Sequence, residues 1–507
     1  MSETVLVVGA GIGGLCTALC LAPTGRRIVL IDRDGPPPGD DPDTVFHNWK
    51  HTGVGHLRQS HAFLARLRNI IRTEHPKLLE QLLAMGVREL PFEAFLTEAQ
   101  RRTYRPQPED AELTIVTSRR TTLELAIRTY VERLGNVTIR SGFHAKNLLT
   151  RKGPDGVIEV LGLGGEQDGL SEELTADLVV DSSGKSGFLI EQLMEAGAPI
   201  REESETAGIL YFTRHYRLLP GMDEPSRTEN PPASGDLGFL KFGVFPGDNG
   251  CFSITLAIPE VEQELLKSVL DPQLFHDITQ QLPGLAVWTS PDRAEPVGRV
   301  HGMGDLISRW RDLVVDGKPS VRGYFPLGDL LVRANPLYGR GCSFAAVAAQ
   351  GLRQALEGST DPGTRLVAYQ QAIHAELRPI YLKQRSEDRN AMKRAKEALT
   401  PGFRKTALRK LIEGFFLDGV RIALRSDTAL LRQALRGFHM LEHPDRWLGR
   451  PGNLAKVIGY WMRGRKANAA AYPPSLGPGR IQMLQALSID GQADVARLAQ
   501  THMIRAA

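Results

Sequence analysis

The residues best placed to do chemistry stand at the head of the chain. There Val5-Leu6-Val7-Val8 runs into Gly9-Ala10-Gly11-Ile12-Gly13-Gly14, and a second apolar run, Ile28-Val29-Leu30-Ile31, ends in Asp32 and Arg33. An apolar strand, a Gly-x-Gly-x-x-Gly turn and an amphipathic segment together describe a site for a dinucleotide. Gly9 permits the tight bend, Gly11 lets bare backbone approach a pyrophosphate, and Gly14 lets helix pack on strand. The following helix aims its first N–H groups at the phosphates. Asp32 sits where a carboxylate accepts hydrogen bonds from a ribose diol and repels a 2′-phosphate. Gly13 and Arg33 complete this group of candidate cofactor-binding residues.

A second chemical stretch is Tyr324-Phe325-Pro326-Leu327-Gly328-Asp329, followed by Asn335-Pro336-Leu337-Tyr338-Gly339-Arg340-Gly341-Cys342. Asp329 is a carboxylate at a strand end, and Gly339 and Gly341 open a small-residue helix whose N-terminus favours adjacent negative charge. Gly328, Asp329, Pro336, Gly339, Gly341 and Cys342 are the candidates here. Two intermediate segments join them. Arg120-Thr121-Thr122-Leu123-Glu124 follows the strand at Thr114–Val116, and Leu178-Val179-Val180 ends in Asp181-Ser182-Ser183-Gly184. Taken alone, Arg120 reads as a solvated residue at a helix start.

These motifs need elements to carry them. Residues 1–34 read as strand, helix, strand, with a Pro/Gly/Asp-rich loop from Gly35 to Asp43. The spacing of Phe63, Leu64, Leu67, Ile70 and Ile71 predicts one amphipathic helix from about His61 to Met85. From about 205 to 300 the texture changes to alternating strands such as Ile209–Tyr216 and Cys251–Ala257, a separate sheet. The fold class expected is α/β: a doubly wound, Rossmann-like dinucleotide-binding domain, a middle mixed β-sheet substrate domain and a helical C-terminal region. Its expected limits are 1–204 and 301–390 for the two parts of the nucleotide domain, 205–300 for the middle sheet and 391–507 for the helices.

Composition bounds the rest. The 507 residues are 42% hydrophobic and 24% charged, with a net charge of +4, so no general attraction to nucleic acid is expected. No run of apolar residues is long enough to cross a bilayer as a helix. The apolar N-terminus reads as the first strand rather than a signal peptide, which makes the cytoplasm the default compartment. The four cysteines, 16, 20, 251 and 342, lack metal-ligand spacing; Cys16 and Cys20 read as buried filler. Histidines are scattered without an acid cluster in sequence, so no metal site is expected. Gly184-Lys185-Ser186 resembles the end of a phosphate loop, but Val179 stands where that loop needs glycine.

The combination of the N-terminal fingerprint with Gly328-Asp329 and the Asn335–Gly341 loop resembles the FAD-dependent monooxygenases of the para-hydroxybenzoate hydroxylase fold. Its glycine loop looks closest to the bacterial polyether-type epoxidases and hydroxylases related to squalene epoxidase. The resemblance spans residues 1 to about 390 and is strongest at the two FAD motifs. It implies FAD, held in an FAD-binding domain of the glutathione-reductase type, with Asp329 on the ribityl chain, Arg120 contacting the cofactor and Asp181 securing a turn near the pyrophosphate. It also implies NAD(P)H as reductant, directly or through a separate flavin reductase. Oxygen from O2 would reach a small apolar or aromatic substrate through a C4a-hydroperoxyflavin, as epoxidation or hydroxylation in secondary metabolism. Asp181-Ser182-Ser183-Gly184 is nearer to the epoxidase, prenyl-reductase and halogenase form than to the Asp-Gly of many aromatic hydroxylases. A reductase or dehydrogenase of a prenyl or polyketide chain, and a flavin-dependent halogenase, therefore stay open. Trp288-Thr289-Ser290-Pro291 does not supply the signature of the tryptophan halogenases. A non-catalytic flavin-binding sensor is the remaining alternative.

No general base announces itself; Tyr211, His215 and Tyr216 on the middle sheet are the candidates, with core packing as the competing role. His56, Arg58, Gln59 and His61 form a polar cluster that fits either a place near the cofactor or a solvated helix entry. Between Phe403 and Lys466, basic residues interleave with Leu411, Phe415, Phe416, Ile422 and Phe438. Two-faced helices packed on the flavin domain give that pattern, and so does a peripheral membrane contact. The sequence leaves the oligomeric state and the catalytic residues open.

Overall fold

The computed structural model describes residues 3–226, 231–400 and 402–489. The apolar runs at the head of the chain form a five-stranded parallel sheet in the order Tyr324–Pro326, Leu178–Asp181, Thr4–Val8, Arg27–Asp32, Val137–Ser141. Neighbouring strands pair in parallel throughout, Val8 facing Asp181 on one side and Ile31 on the other. Strands buried on both faces are continuously apolar, which is why Val5, Val7, Ile28, Leu30, Val179 and Val180 are all sealed from solvent. Helix Ile12–Leu21 lies on this sheet and packs against helix Gly341–Gly358; both are rich in Ala and Gly, so their axes approach closely. The doubly wound domain is therefore assembled from two distant parts of the chain.

Between those parts stands a five-stranded antiparallel sheet in the order Ser234–Asp236, Lys241–Pro246, Cys251–Pro259, Ile209–Leu218, Ala294–Met303. Alternation gives its two faces different jobs. Phe212, Tyr216, Ile254 and Leu256 pack beneath Phe275, Ile278 and Leu285 on short helices. Tyr211, Thr213 and His215 face the other way, opposite Ala257, Thr255 and Ser253, toward the nucleotide domain.

Two local expectations are corrected. The helix expected from His61 to Met85 is a short strand at Ala62–Phe63 and two helices, Ala65–Glu74 and Pro76–Ala84, because Pro76 has no N–H to continue the first and opens the second at His75. The loop expected to run to Asp43 ends at Asp41, whose carboxylate caps Thr44 N–H and starts helix Pro42–Asn48. The C-terminal helices begin, as the sequence suggests from residue 362 on, with the long helix Pro362–Leu399, and residues 490–507 of the expected helical region lie outside the described residues. No described helix is long and apolar enough to cross a membrane.

Candidate active site

Three strand ends converge at the C-terminal edge of the parallel sheet. Gly9 holds φ +95°, and a Cβ there would lie 2.6 Å from the Ser182 carbonyl oxygen; one on Gly14 would lie 1.9 Å from that of Gly9. The fold itself demands these two glycines. Gly11 is different, since a Cβ would meet only Val54 at an ordinary 3.6 Å, and Gly341 would meet nothing within 4 Å. Their missing side chains leave backbone bare beside the N-termini of helices Ile12–Leu21 and Gly341–Gly358, neither of which has a side-chain cap. Uncapped N–H groups with open space before them suit an anionic or carbonyl-bearing ligand.

Asp32 is buried and accepts from Ala10 N–H at 2.6 Å and Asp34 N–H at 2.8 Å. Burial alone would raise its carboxyl, but His51 and these N–H groups hold it below the usual range. Arg33 is exposed beside Gly53. Asp329, half-buried, has no hydrogen-bond partner among the described residues. Burial pushes its carboxyl up against the opposing charges of Arg333, Arg120 and Arg309. A carboxylate held ready in this way fits a hydroxyl-bearing ligand.

Asp181 is fully buried and turned inward: Tyr324 Oη donates to it at 2.6 Å, and Ser183 N–H at 2.9 Å. It fixes the Ser182–Gly184 turn and the neighbouring strand, and is a positioning residue here. Arg120 is buried, not solvated; its Nε donates to Glu124 at 2.6 Å and its guanidinium also contacts His56. Cys342 is buried at the start of its helix, its thiol pushed up to about 11. Gly328 and Gly339 hold φ +67° and +65°, and a Cβ on Gly339 would lie 2.9 Å from the Ala62 carbonyl. Pro336 opens the single turn Pro336–Tyr338.

Sequence reasoning missed several residues. His51 lies between carboxylates, 3.8 Å from Asp32, 3.9 Å from Asp34 and 3.4 Å from Glu124. Burial alone would lower its pKa, but Asp32 and Glu124 raise it to about 9. Glu124, which burial would raise, is held down at about 2 by Arg120 and His51. Asp32, Asp34 and His51 bring three ligand atoms within 4.8 Å of one another, with the His51 ring already paired to both carboxylates. Arg119 is buried too, bonded to Asp248 by its backbone N–H at 2.7 Å and its guanidinium at 2.5 Å, and to Asp43 at 2.6 Å. That clamp ties the nucleotide domain to the middle sheet. Apart from Arg120 and Glu124, which stand at the i,i+4 spacing of a helix, none of these pairs has a local spacing that could have revealed it.

The polar face of the middle sheet is largely covered from within. Thr213 donates to Gln59 at 2.6 Å, Ser60 to Ser253 at 2.7 Å, and His215 Nε2 meets the Arg58 carbonyl at 3.0 Å. The 56–61 segment is thus held against Arg120 and the middle sheet and is not a solvated helix entry. Burial keeps His61 and His215 neutral, down to about 3. Tyr216 is on the opposite face, stacked on Phe252, so only its packing role stands. Tyr211 reaches the glycine loop, donating to Asn335 Oδ1, while Asn335 Nδ2 donates to Asp388 at 2.8 Å. Beside this trio is a small recess of about 30 Å³ lined by Ile209, Leu337, Asp388 and Met392. It shares Pro259 with a groove of about 340 Å³, whose walls include Leu237, Phe239, Ala395 and Leu399.

Residues 4–107 match the family model described as FAD dependent oxidoreductase. Protein Rv3254 of Mycobacterium tuberculosis is 25% identical over 87% of this chain and 90% of its own length. Among solved structures, the flavin-dependent brominase Bmp2 superposes with a TM-score of 0.54 at 15% identity, over 91% of this chain and 100% of that one. PqsL, a probable FAD-dependent monooxygenase from Pseudomonas aeruginosa, gives 0.53 at 15% identity, over 78% and 99%. The chain carries an FAD-dependent oxidoreductase domain and has the para-hydroxybenzoate hydroxylase fold. For this flavoprotein the fit is direct. The bare backbone at Gly11, the unpartnered carboxylate of Asp329 and the two open helix N-termini match a pyrophosphate, a polyol and an electron-rich ring edge.

Proposed function

We propose that the protein is a monooxygenase, transferring one atom of O2 to an apolar unsaturated or aromatic substrate with NAD(P)H as reductant. The balance is substrate, O2, NAD(P)H and a proton giving oxygenated product, NAD(P)+ and water. The carrying observation is a groove with largely apolar walls that shares Pro259 with a recess of about 30 Å³, and the recess reaches Asn335 and Leu337 of the glycine loop. Bound FAD supplies the two-electron redox chemistry and the activation of O2. The chain's residues bind and orient. Asp32 takes the adenosine end, Gly11 admits the pyrophosphate, Asp329 takes the ribityl hydroxyls, and Gly341 leaves room beside the ring. Tyr211 and Asp388 hold Asn335, and so the loop, in place.

The test is a screen of alkenes and phenols with the FAD-loaded protein, NADPH and 18O2, with and without a flavin reductase. One 18O atom per product molecule supports the reading. Product formed without oxygen makes the protein a reductase or dehydrogenase, and a brominated product in the presence of bromide makes it a halogenase.

A further inference from the structure

We infer that the C-terminal helices form a docking surface for an anionic lipid membrane. Helix Ala407–Gly414 continues through a π-helical stretch, Phe415–Val420, and lies beside helix Pro451–Ala467. Phe415 meets Trp461 edge-on at 5.5 Å, and Gly419 lets the two helices close, since a Cβ there would lie 3.2 Å from Trp461. That seam uses one side of each helix. Leu408, Leu411, Ile412, Phe416 and Leu417 are left on the outside, Leu408 67% exposed. On the neighbouring helix Leu454, Ile458 and Met462, at four-residue spacing, do the same, Met462 being 79% exposed. Packing on the flavin domain is thus the job of other tail residues: Arg432 and Arg436 pair with Asp110 and Glu112.

Charge selects the occupant. Residues 402–467 hold 14 Lys and Arg against 5 Asp and Glu, a net +9 in a chain of net +4, so the rest of the chain is net negative. Lys410, Arg421 and Lys466 are exposed and have no carboxylate partner among the described residues. A second copy on this face would set like charges against each other. An anionic bilayer would neutralise them while its acyl boundary takes the leucines and phenylalanines, the arrangement of an interfacial amphipathic helix. The inference stands apart from the reaction catalysed.

The experiment is co-sedimentation of the full, FAD-loaded chain with vesicles of phosphatidylcholine alone or mixed equally with phosphatidylglycerol. Binding is expected to the mixed vesicles, weakening with salt. Lys410→Glu with Arg421→Glu should weaken it roughly thirtyfold or more, and Leu411→Glu with Phe416→Glu at least as much, each with flavin content unchanged. Absence of binding, binding unaltered by both variants, or a dimer in solution that Leu411→Glu dissociates would overturn the proposal.

Discussion

Tyr211 and Asn335 join the middle sheet to the flavin domain through one buried hydrogen bond, the tyrosine donating to an amide that also accepts Leu337 N–H and donates to Asp388. A single hydroxyl therefore connects the roof of the site to the loop on its floor. Tyr211→Phe should cost about 1 kcal/mol of stability, read from urea unfolding. An unchanged midpoint would mean the bond contributes nothing.

The two acids at the ends of the cofactor site should behave differently when removed. Asp32→Ala strips the acceptor from Ala10 and Asp34 N–H, so it should lower both apo-protein stability and FAD affinity. Asp329→Ala breaks no hydrogen bond among the described residues, so it should leave apo-protein stability intact or raised while weakening FAD roughly tenfold or more. Fluorescence titration with FAD beside apo-protein unfolding separates the two. Equal effects of both variants on the apo-protein would contradict the assignment.

The glycines divide in the same way. Gly14→Ala would force a methyl against the Gly9 carbonyl, so the protein should not accumulate in folded form. Gly341→Ala meets open space at a helix start and should fold normally, but bind FAD or turn over more weakly. Circular dichroism and flavin content check each.

His51 makes stability depend on alkaline pH. Its folded-state pKa of about 9 lies above the ordinary 6.5, so its contribution is fully present below about 6.5 and is lost as pH rises through about 9. The loss should be on the order of 2–3 kcal/mol for a group so deeply buried. Urea midpoints of the apo-protein measured across that window should fall, and His51→Gln should flatten the fall.

Asp388 works in the opposite sense to most acids. Burial raises it to about 6, with Asn335, Lys241 and Arg340 pulling the other way, and its Oδ2 is buried without a partner. It therefore binds its proton more tightly folded than unfolded, and its cost appears as pH rises from about 4 through 6. Asp388→Asn, which keeps an acceptor for Asn335, should raise stability at pH 8 by about 2 kcal/mol and change little at pH 4. Equal midpoints at pH 8 would argue against a strained carboxylate.

Much of the nucleotide domain was legible because its signals are local: a strand, a glycine turn, a helix and an acid recur in one short window. The middle sheet was legible from its period of two. What escaped was carried by pairs distant in sequence. Arg119 and Asp248 are 129 residues apart, Tyr211 and Asn335 124, and no periodicity marks either partner. Arg120 was placed correctly on its helix, yet only the folded chain shows that Glu124 and His56 take it out of solvent. The break at Pro76 was hidden by an apolar pattern that continues across it.

The edge strand Tyr324–Pro326 and helix Gly341–Gly358 complete a sheet begun at Thr4. A ribosome that has made only the first three hundred residues has produced a nucleotide fold lacking one edge and one layer. Val179 and Val180 then have no neighbour on one side, and the small-residue face of the first helix has nothing to lie against. Neither the open sheet edge nor the open helix layer of this half can be closed until the residues beyond 340 have been made.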